Sequence, residues 1–386
     1  MPYNFHAPDV YISEEPAGAR PIEAVGTSTA GFIGKAPKSD RALLKKAVAL
    51  NNWTEFLNKF APEGSVSTPL ALAVYGFFEN GGSRCYVVDI ADGPVDDGLK
   101  ALETVDEIAI LAAPGYTDAG SYAALLGHCE LLHDRVAILD SPEVVEDIND
   151  LLNVAVEKPG SGDEKSGKRP RNSDGGFGSF YYPWITVRDP LNPTQRVNSA
   201  PSGHIAGIWA RSDTTRGVHK TPANELVRGA LSLTHALSRD EIGLLNDAGV
   251  NSLRFFSREG IRVWGGRTLA ASSSEWRYLN VRRLFNMIEE SIVESTRWIV
   301  FEPNDYTLWK SIRRDITAFL TLLWRDGALL GRTPQEAFFV KCDEETNPPE
   351  SIDRGYVVTI IGIAPVKPAE FIVFRIRQHQ RGPELE

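Results

Sequence analysis

Apolar positions in the middle of this chain come in short unbroken runs rather than in alternation. Cys85–Ile90 (CYVVDI), Ile108–Pro114 (IAILAAP) and Arg135–Pro142 (RVAILDSP) each read as a strand buried on both faces. Between them lie stretches with helical spacing: a weak one over Gly98–Val105, a stronger one over Ser121–Asp134, and a closing one over Val144–Ala155. Strands of this kind alternating with helices predict a parallel sheet covered on both sides, so the fold class is α/β. Upstream, the small, glycine-rich Val25–Pro37 reads as a buried strand ending in a turn. A helix is predicted over Trp53–Phe60, capped by Asn51 or Asn52. Another is predicted over Pro69–Asn80, with Leu70, Val74 and Phe77 on one face and Gly81-Gly82 at its end.

The pattern breaks at Glu157–Gly176, twenty residues without a large apolar side chain, which reads as an exposed loop. An aromatic strand, Phe180–Pro190, follows it. A helix is predicted through His204–Arg211, and a hairpin around Ser257–Gly260. Long helices over Glu275–Ser295 and Asp305–Asp326 lead to a β-rich end. In the second of these, Leu308, Ile312, Ile316, Phe319, Leu320 and Leu323 form an apolar stripe. Lys310, Arg313, Arg314 and Thr317 line the opposite side, either as a solvated back face or as a cationic rib for an acidic partner. The final segment, Pro365–Gln378, reads as one strand with Ile372, Phe374 and Ile376 on one face and Phe371, Val373, Arg375 and Arg377 on the other. It needs a sheet to join, and so does the short apolar alternation Val10–Tyr11–Ile12 in a proline-rich opening with no core nearby.

Composition narrows the function classes. The chain has 386 residues, 42% hydrophobic, with a net charge of −10, which argues against general nucleic-acid affinity. Cys85, Cys129 and Cys342 are too few and too scattered for a disulfide framework or a zinc site, and read as buried thiols of a protein made in a reducing cytosol. The opening lacks the basic start and apolar run of a secretory signal, and no stretch reaches the length of a membrane helix.

Candidate chemistry is sparse. Gly162–Arg169 (GDEKSGKR) follows the phosphate-loop spacing until Arg169 stands where a magnesium-binding hydroxyl belongs. No strand precedes it, and a solvated loop is the plainer reading. In PSGHIAG, Ser202 sits beside His204, but Pro201 spoils a nucleophile elbow, and Ser202 fits a helix N-cap better. The histidines lack metal-ligand spacing on a helix. His128 and His133 lie on what reads as a surface helix face beside Glu130 and Asp134. Paired carboxylates such as Asp96–Asp97 and Glu289–Glu290 read as solvated. No catalytic residue, cofactor or metal ligand is assigned.

Several longer blocks do carry a family signal. PDVYISEEPAGARPIEAVGTSTAGFIGKAP, PSGHIAGIWARSDTTRGVHKTPAN, GVNSLRFFSREGIRVWGGRTLA, WRYLNVRRLFNMIEESI, FEPNDYTLWKSIRRDITAFL, GALLGRTPQEAFFVKCDEETN and IAPVKPAEFIVFRIRQ resemble, in order, the sheath proteins of contractile phage tails and extracellular contractile injection systems. Asp9 departs from the glycine usual in the opening block, and the region from about Asp92 to Ser199 carries no family signal.

The resemblance implies an N-terminal arm (1–25), core sheath segments (26–84 and 201–364) around an α/β domain (85–200), and a C-terminal arm (365–386). It implies that both arms leave their subunit and add strands to neighbours through Val10, Tyr11, Ile12, Phe371, Ile372, Val373, Phe374 and Ile376. It also implies partners: copies of the same chain in helical hexameric rings, an inner tube, baseplate and cap proteins, and paralogous sheath subunits, with no nucleic acid and no membrane insertion. Lys310, Arg313 and Arg314 are the candidates for facing the tube. On this reading the chain is a structural subunit that contracts to drive a tube through a target envelope, is made in the bacterial cytoplasm, and leaves the cell by lysis. The alternatives are a phage tail in place of an injection system, and an α/β hydrolase-like enzyme.

Overall fold

A computed structural model describes residues 21–156 and 167–372. The strands in chain order are β1 (Ala30–Gly34), β2 (Val48–Leu50), β3 (Cys85–Asp89), β4 (Ile110–Ala112), β5 (Val136–Asp140), β6 (Gly178–Tyr182), β7 (Ile185–Arg188), β8 (Arg196–Ser199), β9 (Ser232–Leu233), β10 (Val250–Phe256), β11 (Gly260–Trp264), β12 (Phe338–Lys341) and β13 (Ile360–Ile363). The helices used below are α1 (Trp53–Phe60), α2 (Pro69–Glu79), α3 (Val95–Leu102), α4 (Ala119–Leu132), α5 (Ser202–Arg216), α6 (Arg239–Asp247), α7 (Leu279–Thr296) and α8 (Tyr306–Arg325).

The chain divides into two compact units. Of the described residues, one comprises those between 25 and 290 with 365–372, and the other 21–24 with 291–364. The larger unit is built on an eight-stranded sheet in the order β11-β10-β6-β5-β4-β1-β3-β2. Six neighbouring strands, β10 through β3, run parallel. The edge strands β2 and β11 are antiparallel to their partners. Successive residues feed opposite faces, as a strand's two-residue period requires. Phe32, Val87, Ile110, Ile138 and Tyr181 enter one core with side chains of α1, α2 and α5. Ile33, Val88, Leu111, Leu139 and Phe180 enter the other, with side chains of α3, α4 and α6. The unbroken apolar runs in the sequence thus serve two cores at once, and the α/β expectation is met.

Helix boundaries largely follow the sequence signals. Asn52 caps α1 by accepting from the Glu55 N–H, and Asn80 closes α2, with Gly81 beyond it at φ 109°. Four expectations change. The helix predicted over Val144–Ala155 is a single 3₁₀ turn, Ile148–Leu151, because the Asp147 carboxylate takes the Asn149 N–H and offers the backbone another partner. The strand predicted over Phe180–Pro190 turns at Pro183 into β6 of the large sheet and β7 of a three-stranded sheet with β8 and β9. The exposed loop expected over Glu157–Gly176 is anchored in its described part. Arg171 binds Glu130 at 2.6 and 3.0 Å, Lys168 pairs with Asp150 at 3.4 Å, and Ser173 is buried. The expected boundaries at 84/85 and 200/201 fall inside the large sheet, which draws strands from residue 30 to residue 264.

Helices α2 and α5 pack backbone to backbone on one face of the sheet. A β-carbon on Gly203 would lie 2.2 Å from Ala73 Cα, and one on Gly207 would lie 2.3 Å from the Phe77 carbonyl. Across the same contact His204 lies against Gly76, fully buried, with neither ring nitrogen hydrogen-bonded. Burial therefore pushes its pKa down to about 4. The folded value lies below the unfolded one. The stabilising effect of keeping the ring neutral is complete above about pH 6.5 and is lost as pH falls toward 4, a change of about 3 kcal/mol. Asp140, raised to about 6 by burial, works in the opposite direction and loses stability as pH rises through 6. His204→Leu should therefore gain on wild type by about 3 kcal/mol between pH 7 and pH 4, measured as urea midpoints of the unassembled chain. Parallel pH profiles for the two proteins would refute the assignment.

Candidate assembly surface

In the smaller unit β12 and β13 form an antiparallel ribbon, paired Phe338↔Ile363 through Lys341↔Ile360. They pair only with each other among the described residues, so each strand has one open edge. Two-stranded ribbons are marginal alone, and open edges recruit further strands. Phe338 is buried, whereas Phe339 and Ile360 on the other face are exposed. The Phe339 ring crosses over Gly362, where a β-carbon would meet it at 2.0 Å. The ribbon is held in place by Asn347, which is 1% exposed. Its side chain accepts the Val358 N–H at 2.6 Å and donates to the Val358 carbonyl at 3.1 Å. Leu330, Tyr356 and Val358 add exposed apolar surface to this unit.

The C-terminal arm begins on the larger unit. Its described part, 365–372, holds a single bridge residue at Pro365 and no longer strand, and the rest of the strand expected over Pro365–Gln378 lies outside the described residues. It is tied down by polar contacts instead. Arg267, 5% exposed, makes a two-pronged ion pair with Glu370 at 3.0 and 2.7 Å and donates to the Asn246 carbonyl at 2.8 Å. Asn280 donates to the Val366 carbonyl at 2.9 Å. Beyond this root Phe371 and Ile372 are 75% and 73% exposed. Of the remaining arm candidates, Val10, Tyr11, Ile12, Val373, Phe374 and Ile376 lie outside the described residues.

Helix α8 matches its sequence stripe. Leu308, Ile312, Ile316, Phe319 and Leu320 are buried, and Asp305 caps the N-terminus by accepting the Leu308 N–H at 2.9 Å. On the outer side Lys310, Arg314 and Thr317 are exposed and Arg313 is half-buried. Arg314 pairs with its neighbour Asp315 at 2.9 Å.

These features can be set beside known proteins. Residues 153–269 match the family model described as phage tail sheath protein central domain. Residues 271–379 match the phage tail sheath C-terminal domain, and together the two span more than half of the chain. The anti-feeding prophage helical sheath in its contracted state is 28% identical, with a TM-score of 0.77, over 97% of this chain and 100% of that one. The sheath chain of the PVC extracellular contractile injection system, also contracted, is 29% identical, with a TM-score of 0.77, over 98% and 99%. A chain of the contracted anti-feeding prophage baseplate structure is 30% identical, with a TM-score of 0.78, over 97% and 99%.

This chain belongs to the contractile tail sheath family. The tail sheath protein of Salmonella phage ViI is 26% identical over 71% of this chain and 43% of its own length. A putative prophage major tail sheath protein of Pseudomonas aeruginosa (strain UCBPP-PA14) is 28% identical over 69% and 64%. The chain thus spans less than two thirds of the length of these curated sheath relatives.

Tail sheath proteins are structural, and the polar cluster around Ser202 is buried and internally bonded. Ser202 is the first residue of α5 rather than its N-cap. Its hydroxyl and N–H both donate to Asp140, at 2.6 and 2.8 Å, and Gly115 N–H adds a third bond at 3.3 Å. Both side chains are sealed from solvent, and His204, two residues on, touches neither polar atom within hydrogen-bonding distance. The cysteines are all buried and free. Of the two histidines expected on a surface helix face, His133 is exposed as expected and His128 is not. His128 is half-buried near Arg135, and burial lowers its pKa, whereas His133 ends α4 at φ 63°. Among the described residues no group of side chains is arranged to hold a metal, and no helix is long and apolar enough to cross a membrane.

The arm root and the open ribbon are the features sequence reasoning missed. Glu370 lies 103 residues from Arg267, and no local pattern announces the pair. Glu370→Ala should leave the sheet intact while hydrogen exchange at residues 366–372 rises roughly tenfold, the loss of one two-pronged charged contact. Unchanged exchange there would mean that the ion pair does not hold the arm.

Proposed function

We propose that this chain is the repeating subunit of a contractile sheath that polymerises helically around an inner tube and shortens to drive the tube through a target envelope. The observation that carries the reading is the β12–β13 ribbon, apolar and open at both edges among the described residues, in a chain whose two ends carry strand-like apolar patterns in sequence. An extended arm from a neighbour completes such a ribbon by backbone hydrogen bonding, with alternate side chains filling apolar pockets. A head-to-tail contact of this sort repeats without closing on itself and generates a helix.

The near full-length match to the sheath of an extracellular contractile injection system, against partial matches to phage sheaths, favours an injection system, with a phage tail as the second reading. The arms Val10–Ile12 and Phe371–Ile376 then act as tethers that stay attached while the bodies rotate outward. Baseplate and cap proteins end the polymer. The energy for contraction resides in the extended assembly, so neither a nucleotide nor a catalytic residue has a part in it. The exposed side of α8, with Lys310, Arg313 and Arg314, faces the tube and meets acidic groups there.

Removing residues 1–20 should yield a folded body with unchanged thermal unfolding that no longer forms tubes in electron micrographs. Persistent tubes would overturn the tether. Replacing Lys310, Arg313 and Arg314 together by Glu should leave sheath-to-sheath assembly intact while co-assembly with the tube protein falls by about tenfold or more at physiological salt. Normal sheathed tubes from that variant would place the tube contact elsewhere.

A further inference from the structure

One groove in the larger unit is used by none of the roles above. It encloses about 880 Å³ between the end of α5, helix α6, the β10–β11 hairpin and the arm root at 366–371. Its lining is strongly basic. Arg216, Arg239 and Lys367 are exposed and meet no carboxylate among the described residues, and Arg254 lies only over the Phe256 ring, at 5.1 Å. Three acids on the elements around this groove are engaged elsewhere: Glu370 with Arg267, Glu225 with Lys220 at 2.8 Å, and Glu241 in the capping box of α6; Asp240 and Asp247 on α6 are exposed and do not line it. Trp264 supplies an apolar wall, and Ile242 lies buried beneath it. Four cations gathered without counter-charge in a chain of net charge −10 repel one another until something anionic arrives.

The same unit carries a surface of opposite chemistry. The segment after β5, at 142–147, includes the start of the helix expected over Val144–Ala155 and instead runs without regular structure. Glu143, Glu146 and Asp147 are exposed and pair with no cation among the described residues. Glu143 accepts only an amide from Asn198, and Asp147 serves its own turn. Among them Val144 is 71% exposed, an apolar side chain flanked in sequence by carboxylates. The groove presents the matching arrangement, an apolar wall ringed by guanidinium and ammonium groups.

We propose that loop 142–147 of one copy docks in the Arg216/Arg239/Arg254/Lys367 groove of the next, with Val144 against Trp264, as a lateral body-to-body contact separate from the arms. A patch and its complement at different places on one surface make a contact that is heterologous and open-ended, which suits a helical polymer. The inference rests on the sheath reading. Charge pairing at the rim of such a contact sets register and strengthens as salt falls, whereas strand pairing is comparatively indifferent to salt.

Paired cysteines test it directly. Gly243 lies on the groove, is exposed, and has no atom within 4 Å of where a β-carbon would stand. The native cysteines are buried, so background reaction is low. Tubes of the V144C/G243C double variant, treated with a short bis-maleimide, should give a ladder of covalent multimers that neither single variant gives. A ladder absent from well-formed tubes whose two cysteines both react with a monofunctional maleimide overturns the contact and leaves the sheath reading standing. A wild-type chain that forms no tubes under any salt condition sinks the sheath reading, and the contact with it. R216E/R239E should raise the concentration at which tubes appear by about tenfold. Adding E143R/E146R should bring it back to within about threefold of wild type, and failure of that rescue counts against the pairing. Circular dichroism of each variant excludes misfolding as the cause.

Discussion

A guanidinium and a carboxylate removed from water hold the larger unit together across the sequence. Arg283 on α7 grips Asp213 on α5 at 2.9 and 2.6 Å, with both side chains 5% exposed or less. The same arginine donates to the Thr27 carbonyl just before β1, and the Thr27 hydroxyl donates to Asp213. Its guanidinium lies over Trp209 at 4.7 Å, and the Trp209 indole reaches the Tyr181 hydroxyl on β6. Three stretches of chain far apart in sequence are thereby fixed to one another. Loss of either partner strands a buried charge, typically worth 3–5 kcal/mol, more than any surface ion pair here could return.

That constraint explains why the sheet can be assembled from distant strands. β1 sits in the middle of the sheet, flanked by β3 and β4, and β10 joins at β6 only after more than sixty intervening residues. Nothing local orders such neighbours. On the opposite side of the same contact, α2 and α5 approach so closely that only glycine fits at 203 and 207. The core tolerates an unbonded, neutral His204 there because the ring fills space that no backbone group needs.

Much of this could be read from the residues. Continuous apolar runs at 85–90, 108–114 and 135–142 announced two-faced strands, and the stripe of α8 came out nearly residue for residue. The misreadings share a cause. Val144–Ala155 has helical spacing, but its aspartates and asparagine satisfy a turn more cheaply, and Phe180–Pro190 looks continuous until Pro183 sends its halves to different sheets. Sheet membership, which joins strands from residue 30 to residue 264, depends on tertiary neighbours rather than on texture. The assembly surface was legible only in outline. Apolar alternation near the ends of the chain predicts strands in need of a sheet, but the position of the open ribbon and the Arg267–Glu370 anchor are written in pairs too far apart to notice.

The chain enters and leaves through different units. Residues 21–24, with Ile22 buried and the Glu23 N–H bound to Ser295 Oγ, belong to the smaller unit, while the Glu370 anchor belongs to the larger. If neighbours pull on the two ends, tension on one tail therefore enters the ribbon-bearing unit and tension on the other enters the eight-stranded sheet. Every subunit then becomes a link in series, and the crossings at 24/25, 290/291 and 364/365 are where the chain carries mechanical work from one half to the other.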